Sequence, residues 1–250
     1  MRFAKTVYKR ETDNLYLKKV EVFCFMKPQR EKHQAFYNLL DAFSEGCPFC
    51  SLIKKNIHKY MDDFLYESVN DPGLRKEVRR SLGFCNRHAW QLQKFNDGFS
   101  TAIVYEEVLR DVIHGLEGSE GFSSIFKSFV HNEASDAGCV ICKEEKDTEQ
   151  RYLSVFIENF MDAELQARYT DSFGLCFPHF LDVLKHCKNQ EIVKQLIACE
   201  LKKTRSLHVE IKEFLRKQDY RFSKEGFGHE KDSWIRAIEK VLGKEGVHIR

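Results

Sequence analysis

The stretch Gly83-Phe84-Cys85-Asn86-Arg87-His88, GFCNRH, sets a cysteine and a histidine three residues apart behind a glycine. Ninety-one residues later Gly174-Leu175-Cys176-Phe177-Pro178-His179, GLCFPH, does the same. Each follows a Cys-x-x-Cys pair, Cys47 and Cys50 in CPFC and Cys139 and Cys142 in CVIC, with 34 and 33 residues between the two pairs. A chain with this many cysteines and histidines would hold roughly 0.3 Cys-x-x-Cys and roughly 0.4 Cys-x-x-His pairs by chance. Two of each, alternating at matched intervals, mark an internal duplication with a period near 92 residues, in which Tyr60 matches Tyr152 and Phe64 matches Phe156.

Zinc in a structural site takes four tetrahedral ligands from thiolate sulfur and imidazole nitrogen. A two-residue spacer lets both members of a pair reach one ion, the first from a loop and the second from the opening turn of a helix. A helix N-terminus also lowers a thiol's pKa, and thiolate is the ligating form. Gly83 and Gly174 serve as flexible entries that turn the chain toward the metal. The spacing therefore predicts two zinc ions per chain, one on Cys47, Cys50, Cys85 and His88, the other on Cys139, Cys142, Cys176 and His179. Each would pin the base of a helical hairpin within its own module. Buried free thiols, redox Cys-x-x-Cys chemistry and an iron–sulfur cluster on three cysteines and one histidine are the competing readings. Covalent haem is excluded, because Ser51 and Lys143 stand where histidine would be needed. Cys24, Cys187 and Cys199 have no regular partner and read as structural.

With 4 prolines and 13 glycines in 250 residues, the chain has little punctuation, which favours long helices. The expected fold is all-α: two duplicated helical modules, each pinned by a Cys3His site, and a C-terminal long helix with a tail. Residues 1–30 read as a loosely packed extension, 31–118 as the first repeat, 122–188 as the second and 189–250 as the helix and tail, with a linker over 115–124. Candidate core residues are Ile103, Val104, Val108, Val112 and Ile113 in one helix. In the long helix they are Val193, Leu196, Ile197, Leu201, Leu207, Ile211, Phe214 and Leu215, and a closing helix begins at Trp234, Ile235, Ile238 and Val241. No apolar run approaches the length of a membrane span, so the expected location is the cytoplasm, where nine cysteines suggest metal ligation more than disulfides.

A net charge of +2 imposes no general field for a polyanion. Lys76, Arg79, Arg80 and Arg87 by the first site, and Lys202, Arg205, Lys212 and Arg216 in the long helix, are the local basic groups that a nucleic-acid partner would use. Interspersed glutamates favour solvated helix faces instead. In the tail, Asp219, Arg221, Glu225, Glu230, Asp232 and Arg236 cluster among aromatic residues. They read either as a ligand or partner site or as ion pairs holding a loop to the bundle. No nucleophile–base pair, phosphate-cradling loop or metalloprotease motif occurs, which points away from catalysis. Two closed four-ligand sites favour a zinc-binding scaffold or regulatory module that presents a surface to another protein. Nucleic-acid binding and an iron–sulfur or thiol redox sensor are the alternatives.

The segments HQAFYNLLDAFSEGCPFC, YESVNDPGLRKEVRRSLGFCNRHAWQL, CVIC, GLCFPHFL and DYRFSKEGFGHEKDSWIRAIEKVLG together resemble an uncharacterised prokaryotic family, a domain of unknown function. The resemblance spans residues 33 to 243. It implies a soluble cytoplasmic protein with two Cys-Cys-Cys-His sites, and it supplies no activity.

Overall fold

The computed structural model describes residues 33–117, 138–222 and 224–247. The predicted extension over 1–30, Cys24 and most of the 115–124 linker lie outside the described residues. The chain divides into two units, residues 1–37 and residues 38–250.

The fold is all-α. The described helices are α1 (Gln34–Ala42), α2 (Pro48–Tyr66), α3 (Pro72–Arg80), α4 (Asn86–Gln93), α5 (Gly98–Glu117), α6 (Val140–Asn159), α7 (Ala163–Asp171), α8 (Phe177–His186), α9 (Gln190–Lys217) and α10 (Ser233–Leu242). Caps set several boundaries. Asp71, in the NDPG stretch, does more than turn the chain: its carboxylate accepts the Gly73 and Leu74 N–H groups at 2.7 and 3.0 Å, and Pro72 opens α3. Asp162 caps α7 in the same way, and Asn189 caps α9.

Helices α2 and α6 form the central pair. They run antiparallel: Phe49 at the start of α2 meets Phe156 near the end of α6 edge to face, with ring centroids 5.6 Å apart. At their crossing the Asn56 amide donates to Thr148 Oγ1 at 2.7 Å. Asn56 and Thr148 stand at matching places in the two motif-bearing stretches, so the crossing lies where a two-fold relation between them would put its axis. Ile53, Ile57, Met61 and Phe64 of α2 and Ile141, Leu153 and Phe156 of α6 are buried along this seam.

The outer helices depart from the expected core. In α5, Val104 and Val108 are buried but Ile113 is half exposed, because the helix is tied to α3 by Arg79, whose guanidinium donates to both Asp111 oxygens at 2.7 and 2.6 Å. In α9 the buried line is Ile192, Leu196, Glu200 and Leu207, while Ile197, Leu201 and Leu215 face solvent. Trp234, Ile235, Ile238 and Val241 of α10 are likewise exposed, and Lys240 points inward. The physical reason is one buried network. Glu200 accepts the Tyr169 hydroxyl at 2.7 Å and the Leu175 N–H at 2.8 Å, and pairs with Lys240, which also donates to the Phe173 carbonyl at 3.2 Å. Once two charges are buried they must meet each other, and that requirement sets the rotation of both helices.

Candidate metal centres

All four ligand pairs share one local geometry. Cys47, Cys85, Cys139 and Cys176 are the N-cap residues of α2, α4, α6 and α8, each with extended backbone. Cys50, His88, Cys142 and His179 then fall three residues in, on the first turn. None of the four caps accepts a side-chain hydrogen bond from its own helix, so each sulfur is left to the site. Four helix N-termini thus aim their partial positive charge at thiols, which favours thiolate. The two glycines enter as expected, with φ of +95° at Gly83 and +83° at Gly174, the left-handed region that glycine adopts without strain. The Tyr105 ring stands behind the first entry at Gly83, and the Glu200 carboxylate takes the Leu175 N–H behind the second.

The structure brings all eight predicted ligands into two foursomes but exchanges the pairing. Cys47 and Cys50 meet Cys176 and His179, while Cys85 and His88 meet Cys139 and Cys142. The cause is helix length. At 1.5 Å per residue, the 19 residues of α2 carry the chain about 28 Å from Cys47. Short α3 leaves Cys85 at the far end, and the antiparallel partner places the start of α6 there.

In the first foursome, His179 Nδ1 lies 3.5 Å from both Cys47 Sγ and Cys50 Sγ and 3.1 Å from Cys176 Sγ, and the sulfurs of Cys50 and Cys176 are 3.7 Å apart. In the second, His88 Nδ1 lies 3.3, 3.6 and 3.3 Å from the sulfurs of Cys85, Cys139 and Cys142, with 3.6 Å between those of Cys85 and Cys142. A tetrahedral zinc with Zn–S about 2.3 Å and Zn–N about 2.0–2.1 Å needs edges of about 3.8 Å between sulfurs and about 3.6 Å between sulfur and nitrogen. The donor atoms of each foursome all lie within 4.8 Å of one another, which suits a single ion. The sulfur separations are too long for disulfides, and the eight described cysteines are free.

Around the donors, α6 supplies a carboxylate to each histidine. His179 Nε2 is 3.1 Å from Glu149, and His88 Nε2 is 3.7 Å from Glu145. At 3.1 Å the Glu149 carboxylate is within reach of the far nitrogen of His179 and fixes a tautomer that leaves Nδ1 to a metal, whereas Glu145 stands at ion-pair distance from His88. Glu145 is itself clamped by Arg87 in a two-pronged pair of 2.8 and 2.5 Å, and Arg87 also donates to the Gly246 carbonyl. The Lys244 N–H points at Cys50 Sγ from 3.5 Å. Proton sharing already favours thiolate. Hydrogen bonds from Cys142 and Cys85 bring the Cys139 thiol down to about 3, while Cys142 is pushed up by its bond to Cys139. At the other site burial opposes ionisation of Cys47, yet hydrogen bonds from Cys176 and Cys50 and the charge of His179 carry it well below the usual thiol range.

Residues 22–247 match a family described as a family of unknown function (DUF6062). The chain belongs to that family. The match covers both foursomes and the tail, and it begins within the stretch that the sequence reading set aside as an extension. An uncharacterized 23.9 kDa protein in xynA 3'region from Caldicellulosiruptor sp. (strain Rt8B.4) is 27% identical over 210 residues, 83% of this chain and 100% of the relative. No solved structure matches the chain.

The remaining candidate residues of this family member take up separate ion pairs. Asp219 pairs with Arg221 at 2.6 Å, Glu225 with Arg216, and Glu230 with Lys217 at 2.7 Å. Arg236 joins Asp232 at 2.8 Å to Glu210 of α9 at 2.6 Å. Three of these pairs, through Arg216, Lys217 and Glu210, join the tail to α9. The hydrogen bond from Lys217, with the Gly228 N–H, draws Glu230 down to about 2. Of the basic residues near the second foursome, Arg79 and Arg87 are engaged by Asp111 and Glu145.

Glu145, Glu149, Glu200 and Lys240 were missed by sequence reasoning. A signal for the first two exists: Ile53 and Ile57 occupy their places in the other motif-bearing stretch, so a polar residue replaces an apolar one at a seam position.

Proposed function

We propose that the chain is a cytoplasmic zinc protein whose two Cys3His centres are structural and whose role is to present a surface to another protein. The observation that carries this reading is the pair of near-tetrahedral foursomes, each closed by four protein donors and so without an open position for substrate. Both sites draw on both halves of a duplicated chain, so each ion would cross-brace α2 or α4 against α8 or α6. The exposed apolar side chains of α10, Trp234, Ile235, Ile238, Val241 and Leu242, support a protein partner. Among the described residues no helix is long and apolar enough to cross a membrane. Nucleic-acid binding is less favoured because Arg79 and Arg87 already face carboxylates. Metal analysis of the purified chain tests the reading. About two zinc per chain is expected, with unfolding on chelation; fewer than about 1.5 together with a fold that survives chelation would overturn it.

A further inference from the structure

The two foursomes differ in access. Cys47, Cys50 and Cys176 are at most 2% exposed, and His179 is fully buried. In the other foursome Cys139 and His88 are fully buried and Cys142 is 6% exposed, while Cys85 reaches the surface in part. Cys85 also sits at the N-terminus of α4 as its N-cap residue. Partial exposure and a helix N-terminus are conditions that favour reaction of a cysteine sulfur with oxidants. The partner sulfur is in place: Cys142 Sγ lies 3.6 Å from Cys85 Sγ.

Resting on the zinc reading above, we propose that Cys85 is an oxidative modification site, and that hydroperoxides convert the Cys85–His88–Cys139–Cys142 centre from a zinc site into a Cys85–Cys142 disulfide while the other centre keeps its ion. The electrons balance as follows. The Cys85 thiolate attacks one peroxide oxygen; the O–O bond breaks, hydroxide leaves and Cys85 becomes a sulfenic acid. The Cys142 thiolate then attacks the Cys85 sulfur, forming the S–S bond and expelling a second hydroxide. Two sulfurs lose two electrons in all, and the peroxide takes them. Zinc, left with Cys139 and His88 only, dissociates. The disulfide still joins the loop before α4 to the start of α6, so a covalent brace replaces the metal one and a thiol reductant with zinc reverses the change.

The experiment uses the full zinc-loaded chain, hydrogen peroxide at a few equivalents, a chromogenic zinc chelator, and alkylation with mass spectrometry to locate the oxidised thiols. The expected result is one zinc released per chain, at least about tenfold faster than the second. Cys85 should be linked to Cys142, with Cys47, Cys50 and Cys176 still open to alkylation after unfolding, and a reductant with zinc should restore the ion. Release of both ions in one phase would overturn the proposal. So would first oxidation at Cys47, Cys50 or Cys176, or oxidation of Cys199 alone with both ions retained. Metal content before oxidation separates the two failures. A chain without zinc sinks the metal reading and this proposal together. A chain with two zinc and no selective release sinks this proposal only.

Discussion

Two double substitutions separate the crossed ligand sets from sets drawn within each repeat. Cys50→Ser with Cys176→Ser removes two donors from one foursome and leaves Cys85, His88, Cys139 and Cys142 complete. Cys50→Ser with Cys85→Ser removes one donor from each foursome and leaves neither complete. A structural zinc site contributes about 10–16 kcal/mol of apparent binding free energy. An even share per ligand is about 3 kcal/mol, or about a hundredfold in affinity for each missing thiolate. Dialysis against a chelator of intermediate strength, followed by elemental analysis, should therefore leave one zinc on the Cys50→Ser/Cys176→Ser chain. The Cys50→Ser/Cys85→Ser chain should keep none. Pairing within each repeat predicts the reverse, and that outcome would refute the crossed arrangement.

The same geometry sets the remaining expectations. Alanine at Gly174 or at Gly83 takes on the strain of a positive φ, about 1–2 kcal/mol. At Gly174 its Cβ also runs into the buried Glu200 carboxylate and comes 2.7 Å from Lys203 Cδ, whereas at Gly83 it would meet only the Tyr105 ring at 3.2 Å. Displacing a buried carboxylate adds about 1–3 kcal/mol. Urea denaturation should then show a clearly larger midpoint loss for Gly174→Ala, and equal losses would remove Glu200 as the anchor of that loop. Glu149→Gln should loosen zinc about 10–100-fold at the Cys47 foursome, and Glu145→Gln should do so at the Cys85 foursome. Site-resolved zinc release with the effects exchanged would contradict the assigned carboxylates. Glu230, lowered from 4.5 to about 2 chiefly by Lys217, binds its proton more weakly when folded. Its contribution is present in full above pH 4.5 and disappears as pH falls toward 2. Glu230→Gln should flatten that part of the stability profile, and an unchanged acid limb would show that the pair with Lys217 does not hold in solution.

The donors were legible because their geometry is local. A cysteine at a helix N-cap with its partner three residues on needs only a glycine or proline at the entry and an apolar run behind it, and all of that is written within ten residues. The pairing was not legible, because it depends on which helix ends meet across the α2–α6 seam. Intervals of 34 and 33 residues are compatible with either arrangement. The tail was half legible. Its charges were seen, but only the fold shows that they separate into ion pairs along α9. The α10 stripe misled for a related reason. Trp234, Ile238 and Val241 have the spacing of a buried face, yet Lys240 on the opposite side reaches Glu200, and a buried ion pair must be completed even where that turns apolar side chains outward.

Crossed pairing changes what the repeated motifs mean physically. A hairpin pinned at its own base would be complete with one ion, and the two halves could be separate folding units joined by a linker. In the observed arrangement each half carries its Cys-x-x-Cys and its Cys-x-x-His at opposite ends of one long helix, so neither half can close a site alone. Asn56 and Thr148, at matching places in the two motif-bearing stretches, meet at the α2–α6 crossing. The halves are nevertheless not equivalent. Helix α6 supplies Cys139, Cys142 and Glu145 to one foursome and Glu149 to the other, whereas α2 has Ile53 and Ile57 where those glutamates stand. Both histidines therefore face carboxylates of the same helix, α6, and α2 offers no equivalent to either.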